Sequence, residues 1–301
     1  MTSILTNAGA IAALSTLRDL SLSMGATQAA VATGMRIDTA DDDAAYWSIA
    51  TTMRSDTKTI SAVVDTLNLS DATVGVAYAG MSSTIQVLDE LKSKLVAAHG
   101  EGVDLGKVQK EISQLQDQIV SIAASASFNE GNWLQTDVTD LNDPLQSETA
   151  LIASYARESY GVSINTMQID MAETSLFNST GGGLMQADPT DPETNGHALL
   201  DIDIVTNPGL RTEYLAYVDV VNERVIDAAA ELGALQSRLQ IQADFSKELL
   251  DSLDTGVGRL VDADLNEESS RLKALQTREQ LGTQTLSIAN ASSQALMQLF
   301  Q

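Results

Sequence analysis

Apolar residues recur at seven-residue intervals through the first third of the chain: Met53, Ile60, Leu67, Val74, Met81, Leu88 and Leu95. Three residues beyond members of this series stand Val63 and Leu91, with the smaller Ala77 and Ala98 at equivalent places. A seven-residue repeat sustained this long is a coiled-coil seam. It predicts one helix from about Asp43 to Ala98, roughly 80 Å long at 1.5 Å per residue. His99-Gly100-Glu101-Gly102 interrupts it. A second helix is expected from Asp104, whose short carboxylate suits an N-cap. Its stripe is Leu105, Val108, Ile112, Leu115, Ile119 and Ile122, and Phe128-Asn129-Glu130-Gly131 closes it.

A third stripe runs through Val218, Val221, Val225, Ala228, Leu232, Leu235 and Leu239, with Phe245, Leu249 and Leu253 extending it. The pattern resumes at Leu272, Leu275, Leu281, Leu286 and Leu296. No isolated helix can bury such stripes, so the N-terminal and C-terminal helices are expected to pack on one another. All four prolines fall between Pro144 and Pro208, together with the Gly181-Gly182-Gly183 run. Proline-free flanks leave both halves free to form long helices. In the middle, Val162, Ile164, Met167, Ile169 and Met171 approximate strand alternation, and Leu200, Ile202 and Ile204 alternate with Asp201 and Asp203. The expected fold is mainly α: a long antiparallel coiled-coil rod formed by both chain ends, with a small β-hairpin or sheet from the middle segment.

Charge changes this picture. The 301 residues carry 41 acidic and 17 basic side chains, a formal net charge of −24. Yet Gln280–Gln301 holds no charged group, and between Met1 and Met35 only Arg18 and Asp19 are charged. Charge depletion is the compositional mark of surface that becomes buried. Ser, Thr, Gln and Asn interrupt both ends well short of the ~20 apolar residues a membrane span needs, so membrane insertion is not expected. A pI near 4.1 argues against nucleic acid, whose phosphates demand a basic face. The N-terminus lacks the basic and continuous apolar regions of a general secretory signal, so export would use another route.

Candidate chemistry is sparse. There is no cysteine, and His99 and His197 are the only histidines, with no H-E-x-x-H. Asp188, Asp191 and Glu193 lack the spacing of a calcium loop. No cofactor, metal or catalytic constellation is expected, and the chain is not read as an enzyme. Asp41-Asp42-Asp43 has two readings, a subunit contact or ion site on one hand and helix capping on the other. Asp43 is read as a cap, Arg36 and Asp42 as packing partners, and either Asp262 or Asp264 as the cap of the last helix.

These residues, in order, resemble bacterial flagellin. Gly34-Met35-Arg36-Ile37-Asp38-Thr39-Ala40-Asp41-Asp42-Asp43-Ala44-Ala45 is similar to the family's G-L-R-I-N-S-A-x-D-D-A-A, with Ile49-Ala50 at the family's spacing. Phe128-Asn129-Glu130-Gly131-Asn132-Trp133-Leu134 resembles the F-N-G stretch after the N-terminal helices. Leu260-Val261-Asp262-Ala263-Asp264 with Glu268, then Gln280-Leu281-Gly282, Leu286 and Ala289-Asn290, resemble the C-terminal motifs. Asp38 departs from the usual Asn, and Tyr46 from the common Gly.

The resemblance implies a secreted subunit of the extracellular flagellar filament, used for swimming. Residues 1–40 plus 265–301 would form the inner coiled coil, 41–134 plus 207–264 a helical rod, and 135–206 a small β region. Self-assembly would bury Leu5, Ile11, Leu14, Leu17 and Leu20 against Leu281, Leu286, Leu296 and Phe300. Arg36, Asp42, Asp43, Phe128, Asn129, Asp262 and Asp264 would serve packing at the family motifs. Implied partners are other flagellin subunits, paralogous ones included, the flagellar export apparatus, a flagellin chaperone, and the hook-associated and cap proteins. The family's hook–filament junction protein is the alternative; that group places proline after the double Asp, where this chain has Ala44-Ala45.

Overall fold

The computed structural model describes residues 6–299 except 130, 142, 159–160, 188–193 and 195; of 293 and 295–299 it describes the backbone alone. The chain divides into two compact units, Met1–Lys58 with Leu250–Gln301, and Thr59–Leu249. In order, the elements are α1 (Ala8–Thr33), α2 (Ala44–Ala97), α3 (Leu105–Ser125), β1 (Ser127–Phe128), β2 (Gly131–Asn132), β3 (Gln135–Thr136), α4 (Pro144–Ser147), β4 (Glu148–Glu158), β5 (Gly161–Asp170), α5 (Met171–Thr174), β6 (Phe177–Asn178), α6 (Arg211–Val261) and α7 (Leu265–Leu299), with short 3-10 turns at Leu199–Asp201 and Pro208–Leu210. The fold is mainly helical, with long helices from both ends of the sequence and a small strand region in the middle.

In the second unit the heptad seam of α2 is the core. Ile60, Leu67, Val74, Met81, Leu88 and Leu95 are all buried, as are Val63, Ala77, Leu91 and Ala98. The two places left in the second series hold polar residues, Ser70 and Thr84, and these are buried too. Each hydroxyl donates to a carbonyl one turn back, Ser70 to Thr66 O and Thr84 to Gly80 O, both at 2.9 Å. That bond removes the cost of burying the hydroxyl, so the seam continues through both. Against it pack Ile112, Leu115 and Ile119 of α3 and Val218, Val221, Val225, Leu232 and Leu239 of α6. Phe245 does not extend that last stripe: it is 58% exposed, and the seam runs on through Ala243 and Ser246. Ala243 and Ser246 lie four and seven residues beyond Leu239, on its face at 3.6 residues per turn, whereas Phe245 at six lies off it.

Asp104 caps α3, its Oδ1 accepting from Gly106 N at 3.1 Å. The alternation of Leu200, Ile202 and Ile204 does not make a strand. Ile202 and Ile204 are buried, but Leu200 is exposed. The backbone here is satisfied by α3 side chains: Gln109 Nε2 donates to Ile202 O at 3.0 Å, its Oε1 accepts from Ile204 N at 2.9 Å, and Gln116 Nε2 donates to Leu199 O at 2.7 Å. With amide side chains in place of a neighbouring strand, the segment needs no ladder. Tyr217 of α6 is fully buried and donates to Met185 O at 3.1 Å; burial pushes its phenol pKa up.

The strands form three two-stranded pairs: β1 antiparallel to β2, β3 parallel to β6, and β4 antiparallel to β5. Asn178 ties β6 to the chain after β3, its Oδ1 accepting from Val138 N at 2.9 Å and its Nδ2 donating to Val138 O at 2.8 Å. The hairpin β4–β5 is seated by Met167 and Ile169 of β5, which join the core together with Met171 at the start of α5.

Beside that seat, Glu231 of α6 and Glu173 of α5 line a recess of about 330 Å³ with Arg224 and Asp227. Burial raises the Glu231 pKa, and the hydrogen bond and charge of Glu173, with the charge of Asp170, push it the same way. A carboxyl whose pKa is higher folded than unfolded binds more protons in the folded state. Stability from this group is therefore complete below the ordinary glutamate pKa of about 4.3 and falls as pH rises through the raised value. Glu231→Gln is expected to raise the melting temperature at pH 7, with the gain vanishing near pH 4, as read by circular dichroism. An equal gain at both pH values would contradict the claim that ionising this partly buried carboxyl is what costs stability.

Candidate assembly interface

The first unit is built on α1 and α7. Asn7 starts α1 as its N-cap, the side-chain oxygen accepting from Ala10 N at 3.0 Å. Its Nδ2 also donates to Ala289 O of α7 at 3.0 Å, so one amide caps one helix and fastens it to the other. Gly282 lets α7 approach closely: a Cβ there would stand 2.8 Å from Leu17 Cδ2. Thr27 on α1 and Leu275 on α7 are buried. Between the helices runs a groove of about 440 Å³ lined by Leu17, Leu20, Leu275 and Leu281, with Asp19 and Arg278.

This pairing leaves much apolar surface open. Ile11 is 62% exposed, Leu22 74%, Leu281 56% and Ile288 70%; Leu14 is exposed as well, while Leu17, Leu20 and Leu286 are half-buried. Leu5 and Phe300 lie outside the described residues, and Leu296 is described only as backbone within α7. Leu22 and Ile288 escaped the sequence reading, although both sit in charge-poor stretches. Spacing could have found both: Leu22 lies eight residues beyond Leu14 and Ile288 seven beyond Leu281, on the same helix faces.

The turns that join these helices to α2 and α6 are tied together by backbone. Gly34 ends α1 in the left-handed conformation, φ 72°, a geometry open to glycine at little cost. Beyond it Arg36 N donates to Val261 O at 2.7 Å, Arg36 Nη2 to Leu260 O at 2.8 Å, and Ala263 N to Gly34 O at 2.9 Å. Beneath lies a small core of Ile37, Ala50, Val257 and Val261.

Two of the three adjacent aspartates, Asp42 and Asp43, are used locally. Asp42 Oδ2 accepts from the backbone N–H groups of Asp38 and Thr39, each at 3.0 Å, and these bonds hold its carboxyl below the usual carboxylate range. Asp43 Oδ1 accepts from Ala45 N and Tyr46 N at the start of α2, at 3.0 and 3.1 Å. Of the two candidates for the last helix, Asp264 is the cap, accepting from Asn266 N at 2.8 Å and Glu267 N at 3.3 Å. Asp262 instead forms a bridge with Met35.

In the second unit Phe128 is half-buried and Asn129 takes a positive φ of 48° in the β1–β2 turn. The working amide is Asn132. Its Nδ2 donates to Ala123 O of α3 at 2.7 Å, and its Oδ1 accepts from Leu134 N and Gln135 N at 2.9 and 3.0 Å. The signal that would have found it is an amide a few residues past a helix end.

Among the described residues no three His, Asp or Glu side chains gather as a metal would require. Asp188, Asp191 and Glu193 lie outside the described residues. No helix among the described residues is long and apolar enough to cross a membrane.

Two helical halves around a small β region define a mainly α-helical class. The particular family follows from the sequence: the chain belongs to the flagellin family. Residues 4–139 match the bacterial flagellin N-terminal helical region, and residues 215–300 the C-terminal helical region. Flagellin C of Rhizobium meliloti (strain 1021) is 41% identical, and flagellin A of the same strain 38%, each alignment covering 100% of both chains. A flagellin of Brucella melitensis biotype 1 is 38% identical, again over 100% of both.

Proposed function

We propose that this chain is the structural subunit of a bacterial flagellar filament, polymerising with copies of itself and with related flagellins outside the cell. The observation that carries this is the apolar surface left on α1 and α7 by their own pairing, toward the charge-poor ends of a chain at −24. Unpaired stripes of this kind are offered to another molecule. Residues 1–40 with 265–301 form the inner coiled coil, 41–134 with 207–264 the rod, and 135–206 the attached β region. Leu5, Ile11, Leu14, Leu17 and Leu20, with Leu281, Leu286, Leu296 and Phe300, supply the buried contacts on assembly. Export runs through the flagellar secretion apparatus with a chaperone on the sticky C-terminus, and hook-associated and cap proteins bound the filament.

Charge supports an order of events. The first unit holds 8 basic and 13 acidic residues, the second 9 and 28. Repulsion thus resides mostly in the second unit, attraction in the termini. Kosmotropic salt screens the first and strengthens the second. Ammonium sulfate added to purified monomer is expected to yield uniform helical filaments by electron microscopy. Soluble monomer throughout, or amorphous precipitate, would count against the reading.

A further inference from the structure

The methionines of this chain sit in unlike surroundings. Met81 and Met185 are fully buried and Met167 and Met171 nearly so, while Met24, Met35 and Met53 are half-buried. Met35 is singled out by what its sulfur faces: Sδ accepts from Arg54 Nη2 of α2 at 3.2 Å. The backbone around it is pinned. Met35 itself pairs with Asp262, Gly34 O accepts from Ala263 N at 2.9 Å, and Arg36 N and Ile37 N both donate to Val261 O, at 2.7 and 3.2 Å. The thioether is therefore held opposite a guanidinium that is exposed on α2.

A thioether is a poor partner for this cation. Sulfur is a weak acceptor, whereas a guanidinium makes its strong hydrogen bonds to oxygen that carries negative charge. A sulfoxide supplies that oxygen, because its S–O bond is strongly polar with the negative end on oxygen. Oxidation usually disrupts the surroundings of a methionine, since a polar group replaces an apolar one. Here the new oxygen would form beside a cationic donor that already points at the sulfur.

We propose that Met35 is an oxidation site for small peroxides, and that Arg54 receives the sulfoxide oxygen and so fastens the turn after α1 to α2. With hydrogen peroxide as the oxidant the step balances. A sulfur lone pair attacks one peroxide oxygen, the O–O bond breaks, and the proton of the transferred hydroxyl passes to the departing hydroxide, giving water. Sulfur loses two electrons and the peroxide gains them. The site is complete within one copy of the chain, so it stands independently of the filament reading.

The test treats purified monomer with hydrogen peroxide and reads two quantities by mass spectrometry: oxygen uptake at each methionine, and hydrogen exchange in the peptide carrying the Arg36 and Ile37 amides. Met35 is expected to take up oxygen at least about tenfold faster than Met81 and Met185, as exposure dictates. Its oxidation is expected to slow exchange of those two amides about tenfold, the scale of replacing a weak acceptor by a strong one for a charged donor. In Met35→Leu the slowing is lost although Met24 and Met53 still oxidise; in Arg54→Ala Met35 oxidises and exchange does not slow. Faster exchange after oxidation, or slowing that persists in either variant, overturns the proposal, and so does a Met35 that resists peroxide while Met24 and Met53 react. If Arg54→Ala loosens the turn before peroxide is added, the comparison of wild type with Met35→Leu decides alone.

Discussion

Leu88→Ala is expected to destabilise the second unit by ~2–5 kcal/mol, the usual cost of removing a fully buried leucine from a core that cannot collapse around the gap. Leu88 is 0% exposed and sits in the α2 seam against α3 and α6. For a unit of this size the loss corresponds to a fall in melting temperature of roughly 5–15 °C. Leu69→Ala on the same helix is the control, because Leu69 is 48% exposed and the same helix propensity change applies. Thermal denaturation followed at 222 nm separates them. Similar shifts for the two would mean that the heptad seam is not the stabilising core.

Gly282→Leu is expected to act on assembly more than on the monomer. A Cβ at this position stands 2.8 Å from Leu17 Cδ2 and 3.3 Å from its Cγ. With alanine, the Leu17 methyl can rotate away, and the helix gains up to ~1 kcal/mol of propensity, so Gly282→Ala should assemble nearly as wild type. Leucine must force α1 and α7 apart, at ~1–3 kcal/mol for overpacking. It is expected to raise the threshold concentration for filaments roughly 5- to 100-fold while leaving the melting of the second unit unchanged. Wild-type assembly by the leucine variant would show that close α1–α7 approach is dispensable.

The helical architecture was legible because it is written in spacing. Seven-residue periodicity in α2 and three-four alternation in α3 mark a helix face whichever apolar residue fills each place, and Asp104 and Asp43 announce helix starts by residue type alone. Ser70 and Thr84 were not legible as core, since a buried hydroxyl is recognised only once its carbonyl one turn back is in place. The segment around Ile202 and Ile204 misled for a related reason. Alternation reports which side chains face inward, and it reported those two correctly; it says nothing of what satisfies the backbone, which here is Gln109 and Gln116. Phe245 failed because hydrophobicity outweighed phase, and the small residues Ala243 and Ser246 carry the seam in its place.

The terminal motifs behaved similarly. Their acidic residues were read as either functional or capping, and the bonds of Asp42, Asp43 and Asp264 to backbone N–H groups are those of local capping. The extent of the apolar surface on α1 and α7 was not legible from the stripe alone, because exposure depends on how little two narrow helices can cover of each other.

The claim that the paired, charge-poor termini drive assembly is tested most directly by removing Gln280–Gln301 and repeating polymerisation in ammonium sulfate beside the full chain, with electron microscopy as the readout. The truncated protein is expected to keep the melting transition of its second unit and to form no filaments at concentrations where the full chain polymerises completely. Filaments of normal appearance from the truncated protein would contradict it.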